Sequence, residues 1–153
     1  MKISEELVAF IKTEEGFKAH SYLCPAGVPT IGYGSTRHAD GSRVALGETL
    51  TEEQATELLL YTLKSYEAAV NSAVKTTLTQ HQFDALVDFT YNLGAANLLI
   101  SALLRLINGK ANIALIQREF LKWDKATVNG KLVSLPGLTK RRQAEANMFA
   151  KAA

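Results

Sequence analysis

A single cysteine, Cys24, stands in the 153-residue sequence, so no internal disulfide framework can staple the chain. Long apolar stretches are missing too: nowhere do eighteen apolar residues run together, which excludes a membrane-spanning helix. The opening Met1-Lys2-Ile3-Ser4-Glu5-Glu6 turns acidic before any apolar run develops, unlike a secretory signal. Three histidines and one cysteine show no metal-ligand spacing, and there is no phosphate-cradling loop, internal repeat or low-complexity segment. Neither sign of charge dominates, with 17 Lys and Arg against 15 Asp and Glu. A net charge of +2 suits an anionic polymer, whether cell-wall glycan or nucleic acid, and does not choose between them. What remains is a 47% hydrophobic, 21% charged chain of soluble globular type, long enough for one packed domain or two lobes sharing a helix.

Local signals place the elements. Ser4 is an N-cap with Glu5 and Glu6 in the first turn, and Leu7, Phe10 and Ile11 share one helical face until Gly16 stops the helix. His20 to Cys24 and Val28 to Tyr33 then read as two strands around a Pro25-Ala26-Gly27 reversal. Asp40-Gly41 favours a tight turn, which allows a third short strand. Thr51 and Gln54 form a capping box, opening a helix to about Ser72 with Ala55, Leu58, Leu59, Leu63, Tyr66 and Val70 as its apolar stripe. Thr79 and Gln82 form a second box, and the helix from Phe83 to Asn92 is apolar on nearly every side, the pattern of a buried centre. Asn97 to Asn108 and Ala111 to Trp123 read as two further core helices, Asn129-Gly130 as a turn in a connector, and Thr139 as the cap of a last helix. Lys140, Arg141 and Arg142 would then fall in that helix's first turn, opposing its dipole unless an anion lies nearby. The fold class is α+β and mostly helical. A small β-hairpin lobe (about 1–52) and a helical lobe (about 73–153) are joined by a long helix (about 52–72).

Chemistry concentrates in residues 15–34. Glu15 sits at the carboxyl end of the first helix, where the negative end of the macrodipole disfavours an ionised carboxylate, as a general acid requires. Glu14 points about 100° away around the helix. The hairpin brings Cys24 and Thr30 together near its turn. Each has a plainer explanation: a helix-end glutamate is often solvated, a lone cysteine is often a small buried hydrophobe, and a strand threonine is often there for its β-branch. His20 and His38 flank Cys24 in sequence and raise a Cys/His nucleophile as another possibility.

Glu15-x8-Cys24-x5-Thr30, followed by Ile31-Gly32-Tyr33-Gly34, resembles the catalytic signature of phage-type lysozymes, the T-even lysozyme family of glycoside hydrolases, in its cysteine version. The likeness extends through the helix from Gln82 to Gly94, Ser101-Ala102-Leu103-Leu104, Glu119-Phe120-x-x-Trp123 and Leu135-Pro136-Gly137-Leu138-x-x-Arg141-Arg142-x-Ala144-Glu145. It implies a lysozyme-like monomer that hydrolyses the β-1,4 bond between N-acetylmuramic acid and N-acetylglucosamine in peptidoglycan, without a cofactor. It further implies Glu15 as the acid, Cys24 and Thr30 at the water, and Asn92 and Arg141 as substrate-binding residues. Ser35 stands where many relatives have histidine, and the connector from Thr127 to Val133 is longer than usual. Many cysteine-type relatives also begin with a signal-arrest-release segment, absent from the opening residues here.

Cleavage of a glycosidic bond needs a protonated acid at the leaving oxygen and, opposite it, a nucleophile or a positioned water. A thiol is a weaker nucleophile than a carboxylate toward an oxocarbenium-like centre, but it can hold or polarise water. The expectation is therefore an inverting muramidase. It needs no nucleic-acid partner and does not insert into a membrane; it waits in the host cytoplasm until a holin or similar partner permeabilises the membrane, then acts on the periplasmic wall. A lytic transglycosylase giving 1,6-anhydro products, a non-catalytic wall-binding module on the same fold, and a Cys/His amidase are the competing functions.

Overall fold

The computed structural model describes residues 1–152. Its elements are α1 (Glu5–Glu15), β1 (Lys18–Leu23), β2 (Pro29–Gly32), α2 (Glu52–Ala73), α3 (Gln80–Leu93), α4 (Ala95–Ile100), α5 (Ala102–Asn108), α6 (Ile113–Leu121), β3 (Lys125–Val128), β4 (Lys131–Ser134) and α7 (Pro136–Ala150). The architecture is mostly helical, with two small antiparallel hairpins. The residues group into two compact units: Val8–Ser65, and Met1–Leu7 together with the chain from Tyr66 onward.

In the first unit, α1 ends as its sequence dictates. Gly16 takes φ +69°, a conformation open to glycine, and its N–H bonds the Lys12 carbonyl at 2.9 Å. The β1–β2 hairpin pairs Tyr22 with Thr30 and Leu23 with Pro29, with an irregularity between Lys18 and Tyr22. Strand β1 starts two residues before the expected His20. Cys24 and Val28 fall just outside the ladder and close the turn, with Cys24 N–H on Val28 C=O at 3.0 Å and Gly27 N–H on Cys24 C=O at 2.8 Å. The possible third strand is only an isolated bridge, Arg37 to Arg43, around a turn in which Asp40 Oδ1 accepts from the Ser42 amide and hydroxyl. Asp40 spends its carboxylate closing this turn, so the chain reverses before a ladder can grow. Ile11, Ile31, Tyr33, Val44, Ala55, Leu59 and Leu63 are buried. Gly32 is required by close approach as well as by its φ of +65°: a Cβ there would lie 3.1 Å from that of Ala55.

The Thr51 capping box opens α2 as expected, with Gln54 N–H on Thr51 Oγ1 at 3.1 Å and Thr51 N–H on Gln54 Oε1 at 2.9 Å. In the second unit the Thr79 box opens α3, whose residues from Phe83 to Thr90 are all buried. Helix α3 packs against α7 and α4, and α6 packs against α7 and α5. Phe89 meets Phe120 and Trp123 edge-on at 5.7 and 5.6 Å, and Phe120 meets Phe149 at 5.7 Å.

Three expectations need correction here. The single helix from Asn97 to Asn108 is two, because Ser101 adopts an extended backbone and caps α5 through its hydroxyl; Leu99 and Ile100 are consequently exposed, not core. The connector around Asn129 is a hairpin, β3–β4, in which Asn129 and Gly130 both take positive φ as a two-residue turn demands. Helix α7 starts at Pro136, pre-set for the first helical position, not after Thr139. Thr139 Oγ1 instead donates to Asp124 Oδ2 at 2.8 Å, and the basic trio lies beyond the first turn.

Candidate active site

Glu15 is the last residue of α1 and is half-buried, whereas Glu14 is exposed. Only Gly16 and Phe17 separate it from β1. On the hairpin, Cys24 and Thr30 are brought together through Val28. Cys24 is half-buried, and its thiol is held below the usual cysteine value chiefly by hydrogen bonds from the Val28 and then the Ala26 backbone, with a smaller contribution from the Thr30 side chain. Partial burial opposes this. Thr30 is buried, and its hydroxyl reaches the Val28 carbonyl at 2.9 Å. One hydroxyl proton serves either that carbonyl or the Cys24 sulfur at a given moment, and in both cases the oxygen lone pairs remain as acceptors.

The histidines stand apart from this chemistry. His38 Nε2 pairs with Glu48 Oε2 at 2.7 Å, His20 is exposed, and neither is among the groups acting on the Cys24 thiol. A Cys/His nucleophile has no support in this geometry. Ser35 is buried and exchanges both backbone hydrogen bonds with Ile31, so its backbone closes the turn after β2. Among the described residues no cluster of His, Cys, Asp and Glu could hold a metal ion.

Asn92 and Arg141 lie on α3 and α7. Arg141 is not part of a solvated patch: its Nε and Nη2 reach Asp88 Oδ2 and Oδ1 at 3.0 and 2.8 Å, a buried two-pronged ion pair. Asn92 Oδ1 accepts from Arg142 Nη2 at 2.8 Å. Sequence alone assigns no polar role to Asp88 or Glu145, and marks Arg142 by its basic turn and the family motif. Two signals could have found them: aspartates inside an otherwise apolar helix, and an Arg-x-x-Glu spacing that faces one helical side.

A phage lysozyme family model matches residues 12–145. An endolysin of Acyrthosiphon pisum secondary endosymbiont phage 1 is 40% identical over 149 residues, spanning 97% of this chain and 98% of that protein. Among solved structures, an endolysin from Escherichia coli O157:H7 phage FAHEc1 superposes with a TM-score of 0.93 at 39% identity, over 98% of this chain and 94% of that one. The L86M mutant of P22 lysozyme gives 0.84 at 36% identity, over 99% of both chains. A family model over most of the chain and a relative 40% identical across nearly its whole length show that the chain belongs to the phage lysozyme family.

Proposed function

We infer that this endolysin acts as an inverting muramidase in which Glu15 is the general acid and Cys24 and Thr30 handle the attacking water. Membership of the family makes the chain a glycoside hydrolase of peptidoglycan; the roles of individual residues are our reading. Glu15 gives its proton to the glycosidic oxygen as the bond from the anomeric carbon to that oxygen breaks. Water, held by the Thr30 oxygen, attacks from the opposite face and loses its proton to the Cys24 sulfur. The observation that supports this best is the lowered thiol, which receives backbone hydrogen bonds at Val28 and Ala26 beside the buried Thr30 hydroxyl. These donors favour the thiolate, the form able to accept a proton. Asn92 and Arg141 serve in substrate binding.

Product analysis on purified peptidoglycan tests the reading. A reducing N-acetylmuramic acid end, formed with inverted configuration, is expected. Products ending in 1,6-anhydromuramic acid would make the chain a transglycosylase, and a glycosyl group trapped on Cys24 would replace the water mechanism with a covalent one. For release, we propose dependence on a permeabilising partner of the holin type. No described helix is long and apolar enough to cross a membrane. Cells expressing the chain alone should stay intact until chloroform breaches the membrane, and spontaneous lysis would contradict the proposal.

A further inference from the structure

Helices α3 and α7 bury four ionisable side chains together: Asp88, Arg142 and Glu145 are at 0% exposure and Arg141 at 6%. Asp88 has both oxygens engaged by Arg141. Glu145 is satisfied on one side only. Its Oε1 accepts from Arg142 Nη2 at 2.6 Å, whereas Oε2 is buried with no donor. The neighbouring acid that acts on Glu145 is the Asp88 carboxyl.

Two neighbouring ionised carboxyls in a dry interior repel, and a buried acceptor without a donor is costly. One proton on Glu145 Oε2 removes both penalties. Oε2–H then donates to Asp88, and Oε1 still accepts from Arg142. Burial first, and the neighbouring Asp88 second, push the Glu145 carboxyl well above the usual carboxylate range, with Arg142 opposing. Arg142 does not depend on an ionised Glu145. Its Nη2 also donates to Asn92, its Nη1 reaches the Trp123 carbonyl at 3.5 Å, and the guanidinium lies 5.4 Å from the Phe89 ring centroid. The charged groups acting on Glu145 are thus Asp88 from α3 and Arg142 from α7. On α6, which also packs on α7, Gln117 gives its amide to the Ala146 carbonyl at 3.1 Å.

We propose that Glu145 is a neutral carboxylic acid in the folded protein, and that the proton it shares with Asp88 makes it a positioning residue for Arg141. With that proton in place Asp88 accepts from Glu145 and from both prongs of Arg141, which fixes the guanidinium. When the proton leaves, repulsion between the carboxyls loosens that grip. Only the effect on activity rests on reading Arg141 as a substrate-binding residue; the protonation state does not.

The test compares wild type with Glu145→Gln, whose amide can donate to Asp88 while its oxygen accepts from Arg142, and with Glu145→Ala, which can do neither. Infrared spectra at neutral pH should show a protonated-carboxyl band, shifted by carbon-13 glutamate labelling and lost in Glu145→Gln. Its absence from wild type overturns the proposal. Thermal unfolding gives a second readout. A carboxyl raised in the folded state stabilises fully below its unfolded value of about 4.3, and this contribution is lost as pH rises through the folded value. The melting temperature of wild type relative to Glu145→Gln should therefore fall with rising pH, and a constant difference counts against the proposal. For the positioning role, KM for peptidoglycan should rise several-fold in Glu145→Ala at neutral pH, while Glu145→Gln should stay near wild type and lack the alkaline increase in KM expected of wild type. Equal increases in both folded variants would sink it. If wild type cleaves no peptidoglycan, the muramidase reading fails, and the infrared and melting results still decide the protonation.

Discussion

The β1–β2 hairpin and the α3–α7 pair hold reactive side chains by opposite means. At the hairpin, backbone groups set the chemistry: Val28 and Ala26 hold down the Cys24 thiol, and Thr30 leans on the Val28 carbonyl. The thiol itself is half-buried and open to change. In α3–α7 side chains hold other side chains, at almost zero exposure, through Arg141–Asp88 and Arg142–Glu145. Backbone support survives a substitution, whereas a buried charge left behind by its partner does not stay harmless. Changes at the helix end and hairpin should therefore read out chemistry with the fold intact, and changes in α3–α7 should read out folding as well.

The largest effect is expected at Glu15. Glu15→Gln keeps the size of the side chain and the helix but removes the acid. We expect kcat to drop by about a hundred- to ten-thousandfold, the usual worth of a positioned proton donor, with little change in melting temperature. Exposed Glu14→Gln should change either quantity little. Retention of most activity in Glu15→Gln would remove this residue from the mechanism.

Cys24 comes next, and here the hairpin's means of support becomes visible in a pH profile. Cys24→Ala should lower kcat by about a hundredfold or more, because nothing then accepts the proton of the water. Cys24→Asp should stay substantially active, since a carboxylate can accept the same proton. On the proposed mechanism wild type needs the thiolate, so its activity should decline as pH falls through the thiol's lowered value. The aspartate variant should hold its activity to more acidic pH, down toward about 4. If both enzymes lose activity at the same acid pH, the limb belongs to another group and the thiolate is not the water's base.

In α3–α7, Arg141→Ala leaves Asp88 buried without its two-pronged partner. A loss of about 3–5 kcal/mol in unfolding free energy is expected, accompanied by weaker activity. Lys140, one position away and exposed, should change stability by no more than about 0.5 kcal/mol on replacement by alanine. Equal small effects in denaturant unfolding would mean that the ion pair contributes nothing and would erase the contrast between the two regions.

The same contrast decides what could be read from the sequence. Ser4, Thr51 and Thr79 announce helix starts through partners three residues away, and Glu15, Cys24 and Thr30 belong to one local stretch whose turn is marked by Pro25 and Gly27. Charge and the family likeness mark Arg141, but its anchor Asp88 lies 53 residues away and inside a helix whose apolar pattern suggests only core. Asp84 is similar: it holds the Ser4 amide and hydroxyl from 80 residues away. Long-range pairing of this kind leaves no periodicity. Strands β3 and β4 escaped for a different reason, because almost all of their side chains are exposed and no alternation marks a buried face. Only Asn129-Gly130 hinted at them.

A smaller effect than those at Glu15, Cys24 and Arg141 belongs to a residue that the apolar pattern of its surroundings concealed. Ser101 divides what reads as one helix into α4 and α5, and it does so with a single hydroxyl. Its Oγ accepts from the Leu104 amide at 3.0 Å and donates to the Leu98 carbonyl at 2.7 Å, with the residue 1% exposed. Leu98, Leu103 and Leu104 are buried around this break, whereas Leu99 and Ile100 face out. Ser101→Ala removes the cap and leaves the Leu104 N–H without that partner. The expected cost is about 1 kcal/mol, within the usual range for an N-cap serine. Because the residue belongs to neither the hairpin nor the buried polar cluster of α3 and α7, kcat and KM should be unchanged while the denaturant midpoint falls. A variant as stable as wild type would mean that the flanking leucines, and not the serine, set the break. A loss of activity at unchanged stability would show that α4–α5 acts on the substrate, and the division of chemistry between the two regions would have to be redrawn.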